Sequence, residues 1–154
     1  MRPDEGQAAP DFTLPRDGGG SVTLSALRGR PVVIFVYSEA GSPTCTDEAR
    51  AFSAAAGEFS AAGIALFGLS PDPVARQEKF RDKQGLVVPL LSDEGALVCN
   101  DWGLWVEKQM FGRRYMGVGR TTLLIDAQGT IARVWRKVRL KNHVAEVLAA
   151  AKAL

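Results

Sequence analysis

Pro31-Val32-Val33-Ile34-Phe35-Val36-Tyr37, followed after four residues by Ser42-Pro43-Thr44-Cys45-Thr46-Asp47-Glu48, reads as a buried strand running into the start of a helix. An unbroken apolar run rich in β-branched residues suits a strand covered on both faces. Ser42 is a favoured cap, Pro43 suits the first helical position, and Asp47 and Glu48 complement the positive end of the helix dipole. One thiol, Cys45, therefore falls in the first helical turn. Unpaired backbone N–H groups there stabilise an anion, so the turn favours a thiolate. Most free cysteines are small core residues, but Ser, Pro, Thr, Asp and Glu are poor core company. Strand-to-helix loops of α/β proteins also carry chemistry. Cys45 reads as a nucleophilic or oxidisable sulfur.

Outward from this unit the strand and helix signals alternate. Residues 11–14 and 21–24, separated by Arg16-Asp17-Gly18-Gly19-Gly20, predict an N-terminal β-hairpin. The Cys45 helix carries Ala49, Phe52, Ala56 and Phe59 at helical spacing and is expected to stop at Gly63. A second buried strand covers 64–70. Asp72-Pro73 opens a charged helix to Gln84, closed by Gly85. A short strand at 88–91 and a short helix at 93–102 follow, then a loop rich in Gly, Arg and aromatic residues. Residues 121–126 and 130–138 read as a hairpin, and 142–152 as an amphipathic final helix. The order β-β-β-α-β-α-β-α-β-β-α describes an α/β fold: a central mixed sheet with flanking helices.

A chain of 154 residues with 46% hydrophobic content fits one domain, residues 1–154, with an ordinary core. Lys and Arg number 19 against 17 Asp and Glu, a net charge of +2 that defines no strongly charged partner. The one mild basic cluster, Arg133 to Arg139, alternates with apolar residues as a half-exposed strand would, and no nucleic-acid motif accompanies it. No secretory signal is expected, because the acidic N-terminus leads into no apolar segment. No stretch approaches the roughly 18 apolar residues of a membrane span. Two cysteines form no secreted disulfide framework, so the cytoplasm is the expected compartment. A single histidine and no cysteine pair at ligand spacing predict no metal site, and Gly117-Val118-Gly119 lacks the lysine and helix of a phosphate loop.

Five stretches in order carry a likeness: Ala9-Pro10-Asp11-Phe12-Thr13-Leu14-Pro15, Pro43-Thr44-Cys45-Thr46-Asp47-Glu48-Ala49, Leu90-Leu91-Ser92-Asp93-Glu94, Gly103-Leu104-Trp105-Val106-Glu107-Lys108 and Arg120-Thr121-Thr122-Leu123-Leu124-Ile125-Asp126. Together they resemble the bacterioferritin comigratory protein, or peroxiredoxin Q, family over nearly the whole chain. The resemblance implies a thioredoxin-like fold and thiol-dependent reduction of hydrogen peroxide and organic hydroperoxides, with no cofactor. It places the peroxidatic cysteine at Cys45, the peroxide-orienting hydroxyl at Ser42 and the flanking arginine at Arg120. Glu48 becomes a partner for that arginine, and Thr44 a supporting residue. The reductant implied is thioredoxin, glutaredoxin or a low-molecular-weight thiol, and a monomer is favoured over a dimer.

Two departures from the family pattern stand out. Its proline and threonine ahead of the cysteine are Ser38 and Ser42 here, and the positions where relatives carry a resolving cysteine hold Arg50 and Arg81. The only other thiol is Cys99, which reads as packing among Leu97, Val98 and Trp102 and is the alternative resolver. A one-cysteine cycle with an external thiol is the leading expectation. A redox sensor with little turnover is the competing class. A thioredoxin-type disulfide reductase is disfavoured, because the first cysteine of its Cys-x-x-Cys pair falls on Ser42. Trp102 and Trp105 read as packing residues beside the site, Arg113, Arg114, Phe111 and Tyr115 as solvated or partner-facing, and His143 as a surface residue after a capping Asn142.

Overall fold

Strand β3 (Val32–Val36) lies at the middle of the fold because all five of its side chains are apolar and buried. A computed structural model describes residues 4–154, except for the side chains of Trp105, Met110 and Met116. The packing read for Trp105 and the first three residues of the N-terminal reading lie outside the described residues.

β3 pairs in parallel with β4 (Ala65–Ser70), which pairs in parallel with β5 (Leu90–Ser92). On its other side β3 runs antiparallel to β8 (Thr121–Ile125), which carries β9 (Ile131–Arg136) at the edge. The order β5-β4-β3-β8-β9 is the mixed sheet of a thioredoxin-like fold. Alternation along β3 sends Val33 and Phe35 to one face and Val32, Ile34 and Val36 to the other, which seeds two apolar clusters. The first face is covered by α1 (Pro43–Ala54), α2 (Ala56–Ala61), α3 (Val74–Gln84) and α5 (His143–Lys152), through Phe52, Phe59, Phe80 and Val147. The second face is covered by α4 (Leu97–Asp101) and the N-terminal segment, through Cys99, Trp102, Phe12, Leu14 and Leu24.

The N-terminal hairpin forms as read, β1 (Thr13–Pro15) against β2 (Ser21–Thr23), with Leu14 opposite Val22. Its loop clasps the edge strand β5. Asp17 is buried, donates its N–H to the Leu90 carbonyl at 3.0 Å, and accepts Leu90 N–H on Oδ1 at 2.8 Å and Arg81 Nη1 on Oδ2 at 3.0 Å. Covering the exposed edge in this way satisfies its backbone and blocks pairing with another chain.

Four local expectations are corrected. The Cys45 helix breaks at Ala55, whose bridge-region backbone (φ −94°, ψ 0°) divides α1 from α2 well before Gly63. The helix read at 93–102 contracts to α4, because Ala96 is left-handed (φ 58°) and the Asp93 carboxylate accepts the Val98 and Cys99 N–H groups from outside the helix. The segment read as a loop before residue 121 is a β-hairpin, β6 (Trp105–Met110) against β7 (Arg113–Val118). Phe111 and Gly112 form its turn with φ of 54° and 76°, two positive values in the manner of a type I′ turn. His143 is buried at 3% exposure, since the end of α5 that it opens lies under Phe52 and Trp135.

Phe35 and Phe52 stack at 4.5 Å with rings 2° from parallel, and Gly68 on β4 leaves the space that this stack occupies. A Cβ there would stand 2.9 Å from Leu90 Cδ2 and 2.9 Å from Phe35 Cζ. Both neighbours are fully buried, so Gly68→Ala is expected to destabilise the protein by about 1–3 kcal/mol through overpacking, measured by urea unfolding. An unchanged midpoint would mean that the stack repacks freely.

Candidate active site

Cys45 is the third residue of α1, and the helix begins there for reasons visible in the chain. Ser42 is extended (φ −68°, ψ 149°) and Pro43, lacking an N–H, occupies the first position. The expected Ser42 side-chain cap is absent. Its carbonyl instead accepts Thr46 N–H at 2.8 Å and the Thr46 hydroxyl at 2.7 Å, while Ser42 Oγ donates to the Glu39 carbonyl at 3.3 Å. Thr44 is exposed. The Cys45 side chain is 2% exposed, and its Sγ lies 3.6 Å from Ser38 Oγ.

The loop at 38–41 is fixed from beneath. Buried Asp72 accepts Ala40 N–H and the Ser70 hydroxyl, each at 2.7 Å on Oδ2, and its Oδ1 lies 3.5 Å from Arg76 Nη1. Arg76 also grips Glu39 at 2.7 Å. Beneath these, the Tyr37 hydroxyl donates to Gln77 Oε1, and Gln77 Nε2 donates to Ser70 Oγ at 3.0 Å and the Leu91 carbonyl at 2.9 Å. Burial raises the Tyr37 phenol above its ordinary value, so it serves as a neutral donor. The sequence reading missed this network. Its signal was Ser70-Pro71-Asp72 at the carboxyl end of a buried strand, where α/β sheets place functional groups.

Glu48 lies three residues beyond Cys45 on α1, so the two share a helix face. It is fully buried, with Oε2 4.0 Å from Arg120 Nη2. Arg120 immediately precedes β8 and is 21% exposed. Neither Glu48 oxygen has a hydrogen-bond partner among the described residues, nor do Arg120 Nε and Nη2. Burial pushes the Glu48 carboxyl up to about 7, against the opposing pull of Arg120. His143, packed edge-on against Phe52 of α1, meets Thr122 Oγ1 through Nε2 at 2.9 Å, and burial lowers its basicity. His143 thus packs neutral beneath the site rather than on the surface.

Cys99 does not join this cluster. It is fully buried among the residues of the opposite sheet face, and burial followed by the neighbouring Asp93 carboxylate pushes its thiol far up, away from the thiolate form. Trp102 packs on that same face, tilted against Phe12 at 6.0 Å, and so does not border Cys45. Phe111 is 97% exposed, and Arg114 lies 3.5 Å from Glu107 across the β6–β7 hairpin. No helix among the described residues is long and apolar enough to cross a membrane.

Known proteins resemble this chain in sequence and in fold. Residues 5–134 match the AhpC/TSA family. A putative peroxiredoxin Bcp of Coxiella burnetii is 42% identical over 148 residues, covering 96% of this chain and 98% of that protein. Among solved structures, the Xanthomonas campestris bacterioferritin comigratory protein, described in connection with its alkyl peroxide reduction activity, superimposes with a TM-score of 0.89 at 36% identity, covering 97% of this chain and 98% of that one. The peroxidoxin BcpB of Mycobacterium tuberculosis superimposes with a TM-score of 0.86 at 34% identity, covering 99% of each chain.

The Glu48 carboxyl has a measurable consequence. With its folded value raised from 4.5 to about 7, the folded state keeps a proton that the unfolded chain releases between those limits. Stability from this group is therefore full below about pH 4.5 and is lost as pH rises towards about 7. Unfolding free energies of the wild type and Glu48→Gln should converge in acid and diverge by about 3 kcal/mol in favour of the variant near pH 8. Parallel pH profiles for the two proteins would refute the assignment.

Proposed function

The chain belongs to the AhpC/TSA family, and on that premise we propose that this thiol-dependent peroxidase works through Cys45 as its peroxidatic residue in a one-cysteine cycle. The observation that carries the reading is Cys45 in the first turn of α1, with Arg120 held against Glu48 on the same helix face and carrying donors not engaged by the described residues. The Cys45 thiolate attacks the terminal oxygen of a hydroperoxide. An S–O bond forms as the O–O bond breaks, the electron pair leaves on the second oxygen, and that oxygen takes up a proton to become water or an alcohol. Arg120, and backbone N–H groups at the start of α1, stabilise the charge moving to the departing oxygen. Ser42 supplies a hydroxyl to orient the bound peroxide once it turns from Glu39, and the exposed Thr44 is a supporting residue.

Cys45 is left as a sulfenic acid, which a second thiol must reduce. Burial of Cys99 on the opposite sheet face supports an external reductant, since a Cys45–Cys99 disulfide needs Cα atoms within about 7 Å. A thiol attacks the sulfenic sulfur, releasing water and forming a mixed disulfide, and a second thiol frees Cys45. Thioredoxin, glutaredoxin and small thiols all fit that chemistry, in a cytoplasmic setting and with the chain acting as a monomer.

Peroxide consumption driven by dithiothreitol should vanish in Cys45→Ser, persist in Cys99→Ala and fall roughly a hundredfold in Arg120→Ala. Loss of turnover in Cys99→Ala, with the variant still folded, would instead make Cys99 the resolving thiol. A single slow reaction per molecule in the wild type would favour the sensor reading.

A further inference from the structure

Two serines bracket the loop between β3 and α1, and their hydroxyls serve different partners. Ser42 Oγ is spent on the Glu39 carbonyl at 3.3 Å, whereas Ser38 Oγ lies 3.6 Å from Cys45 Sγ, within range of a hydrogen bond to sulfur. Ser38 is half-buried, and the backbone on either side of it is pinned. Tyr37 before it donates its N–H to the Leu69 carbonyl at 3.0 Å, and Ala40 after it donates to buried Asp72 at 2.7 Å. The same side chain lines a cleft of about 320 Å³ with Pro71, Lys108 and Tyr115. Ser38 therefore has the sulfur on one side and an open cleft on the other.

We propose that Ser38 is a further catalytic residue of this chain, its hydroxyl donating a hydrogen bond to the Cys45 sulfur and holding it as an aimed thiolate. The inference rests on the reading of Cys45 as the peroxidatic residue. A thiolate has no proton, so the hydroxyl must be the donor when the sulfur is ionised. The proline of the family pattern at this position has no side-chain donor, so this interaction belongs to the present sequence. Hydrogen bonds to charged groups are roughly twice as strong as neutral ones, and a pinned loop gives up little freedom to make this one. When the S–O bond forms, the new sulfenic oxygen can accept the same proton donor without any movement of the backbone.

The test compares Ser38→Ala and the isosteric pair Ser38→Thr and Ser38→Val for the rate of Cys45 with hydrogen peroxide and, separately, with iodoacetamide. The alanine and valine variants should react about tenfold more slowly with both reagents near pH 6 and converge with the wild type near pH 9, while the threonine variant stays close to the wild type throughout. Thermal unfolding identifies any variant that is not folded. Equal iodoacetamide rates for the threonine and valine variants near pH 6 would overturn the assignment, whatever the peroxide result. Because alkylation reads the thiolate alone, a Ser38-dependent alkylation rate in a protein that reacts sluggishly with peroxide would support the hydroxyl–sulfur contact while removing the peroxidase reading.

Discussion

The hydrogen bond from Ala40 N–H to the buried Asp72 carboxylate, 2.7 Å long, is the constraint on which the site depends. The chain leaves the central strand β3, must turn within a few residues, and must enter α1 with Cys45 in its first turn and its sulfur beside Ser38. A loop free to move would scatter Ser38, Ser42 and Cys45 over many arrangements. Asp72 prevents this by tying the loop to the carboxyl end of β4, where Ser70 and Arg76 complete its coordination. The anchor therefore lies just past the end of β4 rather than in the β3–α1 loop itself, and precision at the sulfur derives from strands that are buried on both faces.

The same sheet separates the two thiols. Alternation along β3, β4 and β8 creates two apolar layers, with Cys45 in one and Cys99 in the other. Their environments differ as much as their positions. Cys45 has a hydroxyl and a helix N-terminus, while Cys99 sits in a dry core beside a carboxylate that disfavours its ionisation. Behind Cys45, Glu48 and Arg120 form a pair with unused hydrogen-bonding capacity. Buried charges with unused donors are costly in a purely structural role, and an anionic transition state near Arg120 would recover that cost.

Much of this was legible in the chain. The β3–α1 unit, the buried strand β4, the Gly85 stop of α3 with its left-handed backbone (φ 65°), and the N-terminal hairpin all announce themselves through apolar runs and turn residues. The β6–β7 hairpin did not. Val106, Glu107, Gln109, Arg113, Arg114 and Tyr115 are all exposed, so no core-facing alternation marks these strands, and the turn uses Phe111-Gly112 where Asn-Gly would have been recognised. His143 was misread because an N-terminal helix position next to a capping asparagine usually faces water, whereas here Thr122, Phe52 and Trp135 enclose it. At the site, Cys45, Glu48 and Arg120 were readable as residues. The contact between Ser38 and the sulfur was not, since it depends on how the loop folds back over α1.

Intact mass of the reduced protein after one equivalent of hydrogen peroxide, with a sulfenic-acid trap present, examines the role of Cys45 most directly. One thiol acting alone gives one oxygen gained at Cys45, captured as a single trap adduct, with Cys99 still a free thiol. Loss of two hydrogens with no adduct would mean a Cys45–Cys99 disulfide, and would contradict the separation of the two thiols by the sheet.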